Sequence, residues 1–173
     1  RHKPGRGMER SFYRFDVLSD FGSFRDLQRH RMLTIDWQRL GVKHGYSTPP
    51  VIEEIGWTQR WNDAMGRMSE FHQRVLDEHG SDVSQYVVPF GFKLRYSMQF
   101  NAREAFHMLE LRTSQQGHPD YRRVCQMMHK LIRDKAGHKA IAEAMSYVDH
   151  GSYGLERLEA ERSAEIRRGT SGA

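Results

Sequence analysis

The strongest constraint on this chain is a stretch where two periodicities meet. Phe92, Leu94, Tyr96, Met98 and Phe100 alternate with Lys93, Arg95, Ser97 and Gln99, the period-two pattern of a strand with one buried face. Asn101 follows at once and Glu104 lies three residues on. That is the spacing of a capping box, so the chain is predicted to turn from strand to helix at one residue and to stay helical over 102–113. A sheet with one apolar face needs a second layer to cover it, and the helix that starts at its end is the nearest candidate.

The remaining pattern supplies more of both. Residues 9–19 place Tyr13, Phe15 and Val17 on one side of a first strand. Residues 23–31 carry Phe24 and Leu27 beside Arg25, Gln28, Arg29 and Arg31, a short amphipathic helix ending in a cationic cluster. Gly41, Gly45, Pro49 and Pro50 make 40–50 a loop. Trp57, Trp61, Ala64, Met68, Phe71 and Val75 then recur at steps of three and four, which predicts a long core helix from about Ile52 to a stop at Gly80. Gln115-Gln116-Gly117 breaks the helix of the junction. Pro119 opens the next, whose stripe of Tyr121, Val124, Cys125, Met128, Leu131 and Ile132 ends before Gly137. Two more helices are expected at about 139–148 and 154–168, and 169–173 reads as a disordered tail. The expected class is α+β, a small mostly antiparallel sheet packed with several long helices, in one domain over residues 1–168.

Composition narrows the function classes. A chain of 173 residues can bury roughly 70% of the surface its unfolded form exposes, so it needs no staples. The single Cys125 excludes an intramolecular disulfide and a multi-cysteine zinc cluster, and it fits a reducing compartment. No run approaches 18 apolar residues and the opening Arg-His-Lys-Pro-Gly-Arg-Gly has no apolar core, so no membrane span or secretory signal is expected and a cytoplasmic location is. The start without Met in a basic Gly/Pro segment suggests a piece of something longer. The 27 Lys+Arg exceed the 22 Asp+Glu by only five, with no long basic block, so no nucleic-acid partner is expected. Residues 156–168 interleave both signs as a solvated helix face does.

Three groups carry candidate chemistry: Arg29-His30-Arg31 at a helix end; Asn101, Arg103, His107 and Arg112 on the junction helix; and Glu9 at the first strand. Arg103 and His107 share a helical face, with Arg112 displaced by part of a turn. Guanidinium forks match phosphate and pyrophosphate bidentately, so arginines converging from two helices suit a nucleotide or dinucleotide better than a metal. On spacing alone a second reading stands beside it, in which Arg103 and Arg112 pair on the surface with Glu104, Glu110 or Asp120. The histidines are scattered with no His-x-x-x-His beside a carboxylate, so no metal site is expected. Cys125 lies in an apolar stripe and reads as an inert core thiol. Neither a Gly-x-x-x-x-Gly-Lys loop nor a Gly-x-Gly-x-x-Gly after a strand occurs. Trp57 and Trp61, one turn apart, read as core.

Arg29-His30-Arg31, followed some seventy residues later by Phe100-Asn101-Ala102-Arg103-Glu104-Ala105-Phe106-His107-Met108-Leu109-Glu110-Leu111-Arg112, resembles the flavin-dependent thymidylate synthases (ThyX). That family is marked by an Arg-His-Arg motif and a later Asn-Ala-Arg…Leu-Arg helix, and the resemblance covers roughly residues 8–150. It implies an α+β homotetramer with sites at subunit interfaces. There FAD, reduced by NADPH, relays the methylene of methylenetetrahydrofolate to dUMP. By resemblance the flavin-side residues are Glu9, Arg29, His30, Arg31, Asn101, Arg103 and His107. Arg29 and Arg112 would hold the nucleotide, and Arg112 would act on the pyrimidine as the catalytic group, drawing electron density from the ring with no cysteine nucleophile.

The departures are systematic. Where the family continues after Arg-His-Arg with a dUMP-gripping Asn-Glu-x-Ser-x-Arg stretch, this chain has Asp36, Trp37, Arg39 and Gly41. A family Gln before the motif is Asp26, a family Arg before the second strand is Gln85, and the family's Asn and His on the motif helix are His107 and Gln116. His2 lies seven residues before Glu9, where the family's flavin-site His lies five before. Flavin-side positions are thus better kept than nucleotide-side ones. Two expectations follow: a tandem ThyX-like copy that shares sites with a sister domain supplying the dUMP grip, or a degenerate copy that serves as an assembly scaffold for an active partner.

Overall fold

The computed structural model describes residues 4–152. His2, the helix expected over 154–168 and the tail expected at 169–173 lie outside them. The described elements are β1 (Phe12–Asp20), α1 (Phe21–Leu27), β2 (Leu33–Trp37), α2 (Pro50–Glu54), α3 (Thr58–Ser84), β3 (Lys93–Asn101), α4 (Ala102–Arg112), α5 (Pro119–Asp134) and α6 (Lys139–Ala144). A 3-10 turn, Arg6–Arg10, precedes β1. The expected α+β class holds.

The three strands pair in the order β1-β3-β2. Ser11 accepts from the Ala102 amide, Arg14 bonds Gln99, and the Phe21 amide donates to Phe92. In each pair the two residue numbers add to the same value, as antiparallel pairing requires. The alternation read from sequence is the burial pattern observed: Tyr13, Phe15 and Val17 face inward on β1, and Leu94, Tyr96, Met98 and Phe100 on β3.

By its contacts the chain forms two compact units. The first takes the described parts of residues 1–15, 30–34 and 99–173. Its core gathers Phe15 stacked on Phe100 at 5.4 Å, with Met108, Leu109, Cys125, Met128, Ile132 and Met145 buried. Arg122, 2% exposed, spends its Nε on the Thr113 carbonyl at 2.9 Å and an Nη on that of Gly151 at 3.2 Å, with an Asp149 carboxylate oxygen at 3.6 Å, so its buried charge is not left bare. The second unit takes 16–29 and 35–98. Phe24 meets Tyr96 edge-on at 4.9 Å, and Met65, Val88 and Phe92 form a cluster flanked by Leu40, Val42, Tyr46, Trp61 and Met68.

Several boundaries differ from expectation. β2 lies between the helix expected over 23–31 and the loop at 40–50, where no element is expected, because five residues of alternation are too few to register as a strand. The single long helix over 52–80 is instead α2 and α3, separated where Gly56 takes φ +72°, a left-handed value that favours glycine. Gly80, at φ +81°, interrupts α3 where the stop is expected, but the chain resumes helical geometry to Ser84. Nor is α3 a core helix. Trp57 is 51% and Phe71 40% exposed, and only Met65, His72 and Ser84 along it are buried. Its apolar stripe is covered only in part: Met65, Trp61 and Met68 join the cluster of the second unit, whereas Trp57 and Phe71 stay exposed.

At the sheet-to-helix junction the Asn101 Oδ1 accepts from the Glu104 amide at 2.9 Å. Asn101→Ala should lower unfolding free energy by about 1 kcal/mol, with Asn101→Asp recovering most of it. Denaturant titration of the two variants checks this.

Candidate functional site

The β3–α4 turn sends two neighbouring side chains opposite ways. Arg103 points outward, and its Nη1 donates to Glu9 Oε1 at 2.6 Å. Glu9 sits in the 3-10 turn and also receives Arg6 at 3.2 Å. The hydrogen bonds from Arg6 and then Arg103 hold the Glu9 carboxyl below its ordinary range. Glu104, one residue on, is buried.

His30 arrives from the other motif. Helix α1 ends at Leu27, and two turn residues later His30 is buried, 7% exposed. Its Nδ1 lies 3.0 Å from Glu104 Oε1, and its Nε2 accepts from the Nε of Arg112 at 2.9 Å. An arginine nitrogen can only donate. His30 Nε2 must therefore carry a lone pair, the ring proton sits on Nδ1, and Nδ1 donates to Glu104, an assignment that follows from the bonding network. The same Glu104 oxygen lies 3.4 Å from Nδ1 of the exposed His107, whose ring meets His30 edge-on at 5.4 Å. Burial by itself would raise the Glu104 pKa, but the hydrogen bonds from His30 and His107 outweigh it and the carboxyl titrates below its ordinary value.

Arg112 is half-buried and held on a second side. Its Cζ stands 5.5 Å from the centroid of the Tyr121 ring, a cation–π distance. Gly117 makes room for that ring, since a Cβ there would lie 2.8 Å from Tyr121 Cε2.

Of the residues singled out from sequence, the fold brings His30, His107 and Arg112 together around Glu104, and it joins Arg103 to Glu9. Asn101 caps the helix that carries them. Arg29 and Arg31 are exposed, and Arg29 pairs with Asp26 on its own helix end. The ion pair that Arg103 forms is with Glu9 rather than with Glu104, Glu110 or Asp120. Sequence reasoning took Glu104 as a capping residue or a surface partner of an arginine and missed it as a buried partner of His30. In the event its carboxylate accepts from His30, and only the Asn101 half of the capping box forms. It also missed Tyr121 as a support for Arg112. The i,i+3 spacing of Glu104 and His107 was a visible signal; the arrival of His30, 74 residues away, had none.

Histidines scattered in sequence do converge: His30, Glu104 and His107 offer three ligand-type atoms within 4.8 Å of one another. As bonded here the set is a hydrogen-bond chain rather than a ligand cage. The His30 nitrogen facing Glu104 holds a proton, and moving that proton to Nε2 would set two N–H groups against each other at Arg112. Burial pushes the Cys125 thiol up to about 12, so at neutral pH it is no nucleophile. No helix of the described residues is long and apolar enough to cross a membrane.

The fold is that of the flavin-dependent thymidylate synthases. Two structures of ThyX from Helicobacter pylori, each crystallised with FAD and dUMP, match at TM-scores of 0.62 and 0.63 with 18% identity, covering 81% of this chain and 75% of theirs. A family model described as thymidylate synthase complementing protein matches residues 1–137, and the chain belongs to that family. Its curated relatives include a UPF0159 protein of Thermoplasma acidophilum, 34% identical over 98% of this chain, and one of Chlamydia pneumoniae, 35% identical over 95%. The chain spans about a third of the length of these relatives, 34% and 30% respectively.

The depressed carboxyl of Glu104 predicts a pH signature. Its contribution to stability is complete above its ordinary value of 4.5 and fades as pH falls through the lower folded value. Glu104→Gln should cost roughly 1–3 kcal/mol at pH 7, and the gap between variant and wild type in urea midpoint should close in acid. A gap that stays constant from pH 7 down to full protonation would contradict the assignment.

Proposed function

We propose that this chain is a ThyX-type flavin domain that holds FAD. In the assembled enzyme it takes part in transfer of the methylene of methylenetetrahydrofolate to dUMP, with NADPH as reductant, to give dTMP. The observation that carries this reading is the 2.9 Å bond from Arg112 to His30 across 82 residues, because it fastens the two segments that bear the family's motifs to each other. The H. pylori structures with FAD and dUMP support it as relatives in fold.

The residues fit such a ligand in distinct ways. His30 has both ring nitrogens engaged, so it serves the site through Arg112. Arg103 is paired with Glu9 on the surface, where an ion pair is worth about 0–1 kcal/mol. Exchange for a pyrophosphate oxygen is therefore cheap. Asn101 uses its amide oxygen in the cap and keeps its N–H donors for a flavin edge. Arg112, oriented by His30 and Tyr121, would donate to a uracil carbonyl and stabilise charge developing on it. FAD, when bound, supplies the redox chemistry. With Cys125 held protonated, activation of the pyrimidine falls to Arg112.

The nucleotide side is weaker. Asp36, Trp37, Arg39 and Gly41 replace the expected grip, and Arg39 is paired with Asp82 at 2.7 Å. A homotetramer partner or a sister ThyX-like domain would have to supply phosphate contacts. The loss of that grip favours the second reading, a catalytically degenerate copy that acts as flavin-binding or assembly scaffold for an active partner.

Titration with FAD separates a flavin-binding domain from an assembly scaffold, and the ordering of the variants tests the catalytic roles. The catalytic reading expects flavin fluorescence to quench, Arg103→Ala to weaken FAD more than Arg112→Ala does, and Arg112→Ala chiefly to weaken dUMP. No quenching at high micromolar protein moves the assignment to an assembly scaffold, and the reverse ordering of the two variants refutes the roles given to them.

A further inference from the structure

A carboxylate, an imidazole and a guanidinium stand in line in the first unit. Glu104 Oε1 lies 3.0 Å from His30 Nδ1, and His30 Nε2 lies 2.9 Å from Arg112 Nε. Both inner members are buried, at 7% each. The arrangement matches the carboxylate–histidine–metal triads, in which the carboxylate fixes the ring tautomer and sharpens the outer nitrogen as a lone-pair donor, except that a guanidinium stands where the metal would be.

Two other uses of the same atoms fail on chemistry. A proton relay from exposed His107 through Glu104 and His30 stops at Arg112, whose Nε–H cannot accept a proton. A metal between His30, Glu104 and His107 needs the lone pair of His30 Nδ1, which forces a proton onto Nε2 against the Arg112 donor, and it adds positive charge beside a guanidinium. What the line of atoms does is fix direction. Free imidazole has no strong reason to carry its proton on Nδ1; here Glu104 gives it one, Nε2 is thereby kept as an acceptor, and the Nε edge of Arg112 is tied to it. With the Tyr121 ring 5.5 Å from its Cζ as well, the guanidinium is held from two sides.

We propose that Glu104 is a positioning residue for Arg112, acting through the tautomer it imposes on His30. This rests on the reading of Arg112 as the pyrimidine-holding arginine only for its functional consequence; the positioning itself is a property of the ligand-free protein. Glu104 carries no ligand contact in this role. Its effect on nucleotide binding comes from losing a preorganised donor, for which a fall of roughly tenfold in affinity is the scale set by comparable outer-shell substitutions.

The test uses the full chain labelled with ¹⁵N at histidine and arginine, free of ligand, near pH 7.5. In the wild type the His30 long-range ¹⁵N–¹H correlations should show a protonated Nδ1 and a bare Nε2, and the Arg112 Nε–H should exchange slowly. Glu104→Ala should scramble the His30 tautomer and speed Arg112 Nε–H exchange. Glu104→Gln, which keeps an acceptor oxygen, should restore both in large part. A role in stability alone would lower the melting temperature and leave tautomer and exchange untouched. A wild-type His30 protonated on Nε2 overturns the proposal, as does unchanged Arg112 exchange in a folded Glu104→Ala. Should the alanine variant not fold, the wild-type tautomer and the glutamine variant decide alone. With dUMP as the probe, roughly tenfold weaker binding by Glu104→Ala than by wild type supports the functional consequence. No dUMP binding by wild type, with tautomer and exchange as expected, removes the nucleotide reading and leaves the positioning supported.

Discussion

A carboxylate taken out of water must be given donors or it will not stay ionised, and in this chain the requirement falls on Glu104. The residue sits in the first turn of α4, where its own backbone amide is already satisfied by Asn101, so its side chain can turn inward. Meeting its need for donors brings in His30 from the segment after α1, and His30 in turn takes Arg112 from the far end of α4. Three residues that are 74, 82 and eight positions apart are thus fixed by one chain of bonds. The sheet and helices set the distances, but this chain of bonds is what makes a site of them.

The resulting site is uneven, and its unevenness has a physical shape. Arg112 is held at its Nε by an imidazole and has an aromatic ring 5.5 Å from its Cζ, so less of its orientation remains to be lost on binding. Arg103 and Arg29, by contrast, lie at the surface against carboxylates of their own chain. Such pairs are easily exchanged for a ligand's oxygens and equally able to persist without one. One well-oriented arginine and several uncommitted ones suit a domain that holds one part of a composite ligand and leaves another part to a neighbour. They suit equally a domain on its way to losing the ligand.

Much of this was legible in advance, and the reasons differ by element. β3 and α4 were readable because a period of two gives way to a capping residue at one position, with no competing pattern. The motif residues His30 and Arg112 were singled out through family resemblance rather than through spacing, one as a flavin-side and one as a nucleotide-side residue, and their contact with each other was not read. Glu104 was not singled out in this way. Locally it satisfies a capping box, and a residue with one adequate local explanation gives no sign that its side chain will be claimed by an imidazole from another segment. The α3 stripe misled in the opposite direction. Trp57, Trp61 and Phe71 recur as core residues do, yet of the three only Trp61 packs against the core, because periodicity reports which side of a helix is apolar and says nothing of whether a cover exists.

The claim on which the account turns is that His30 and Glu104 are energetically one unit. A double-mutant cycle measures that directly: His30→Phe, Glu104→Leu and the pair, each unfolded in urea at pH 7. The account predicts a coupling of at least about 1 kcal/mol, with the double variant much less destabilised than the two single ones added together. Additive effects, within about 0.3 kcal/mol, would mean that the two side chains do not depend on each other, and the bond chain to Arg112 would no longer explain how the site is held.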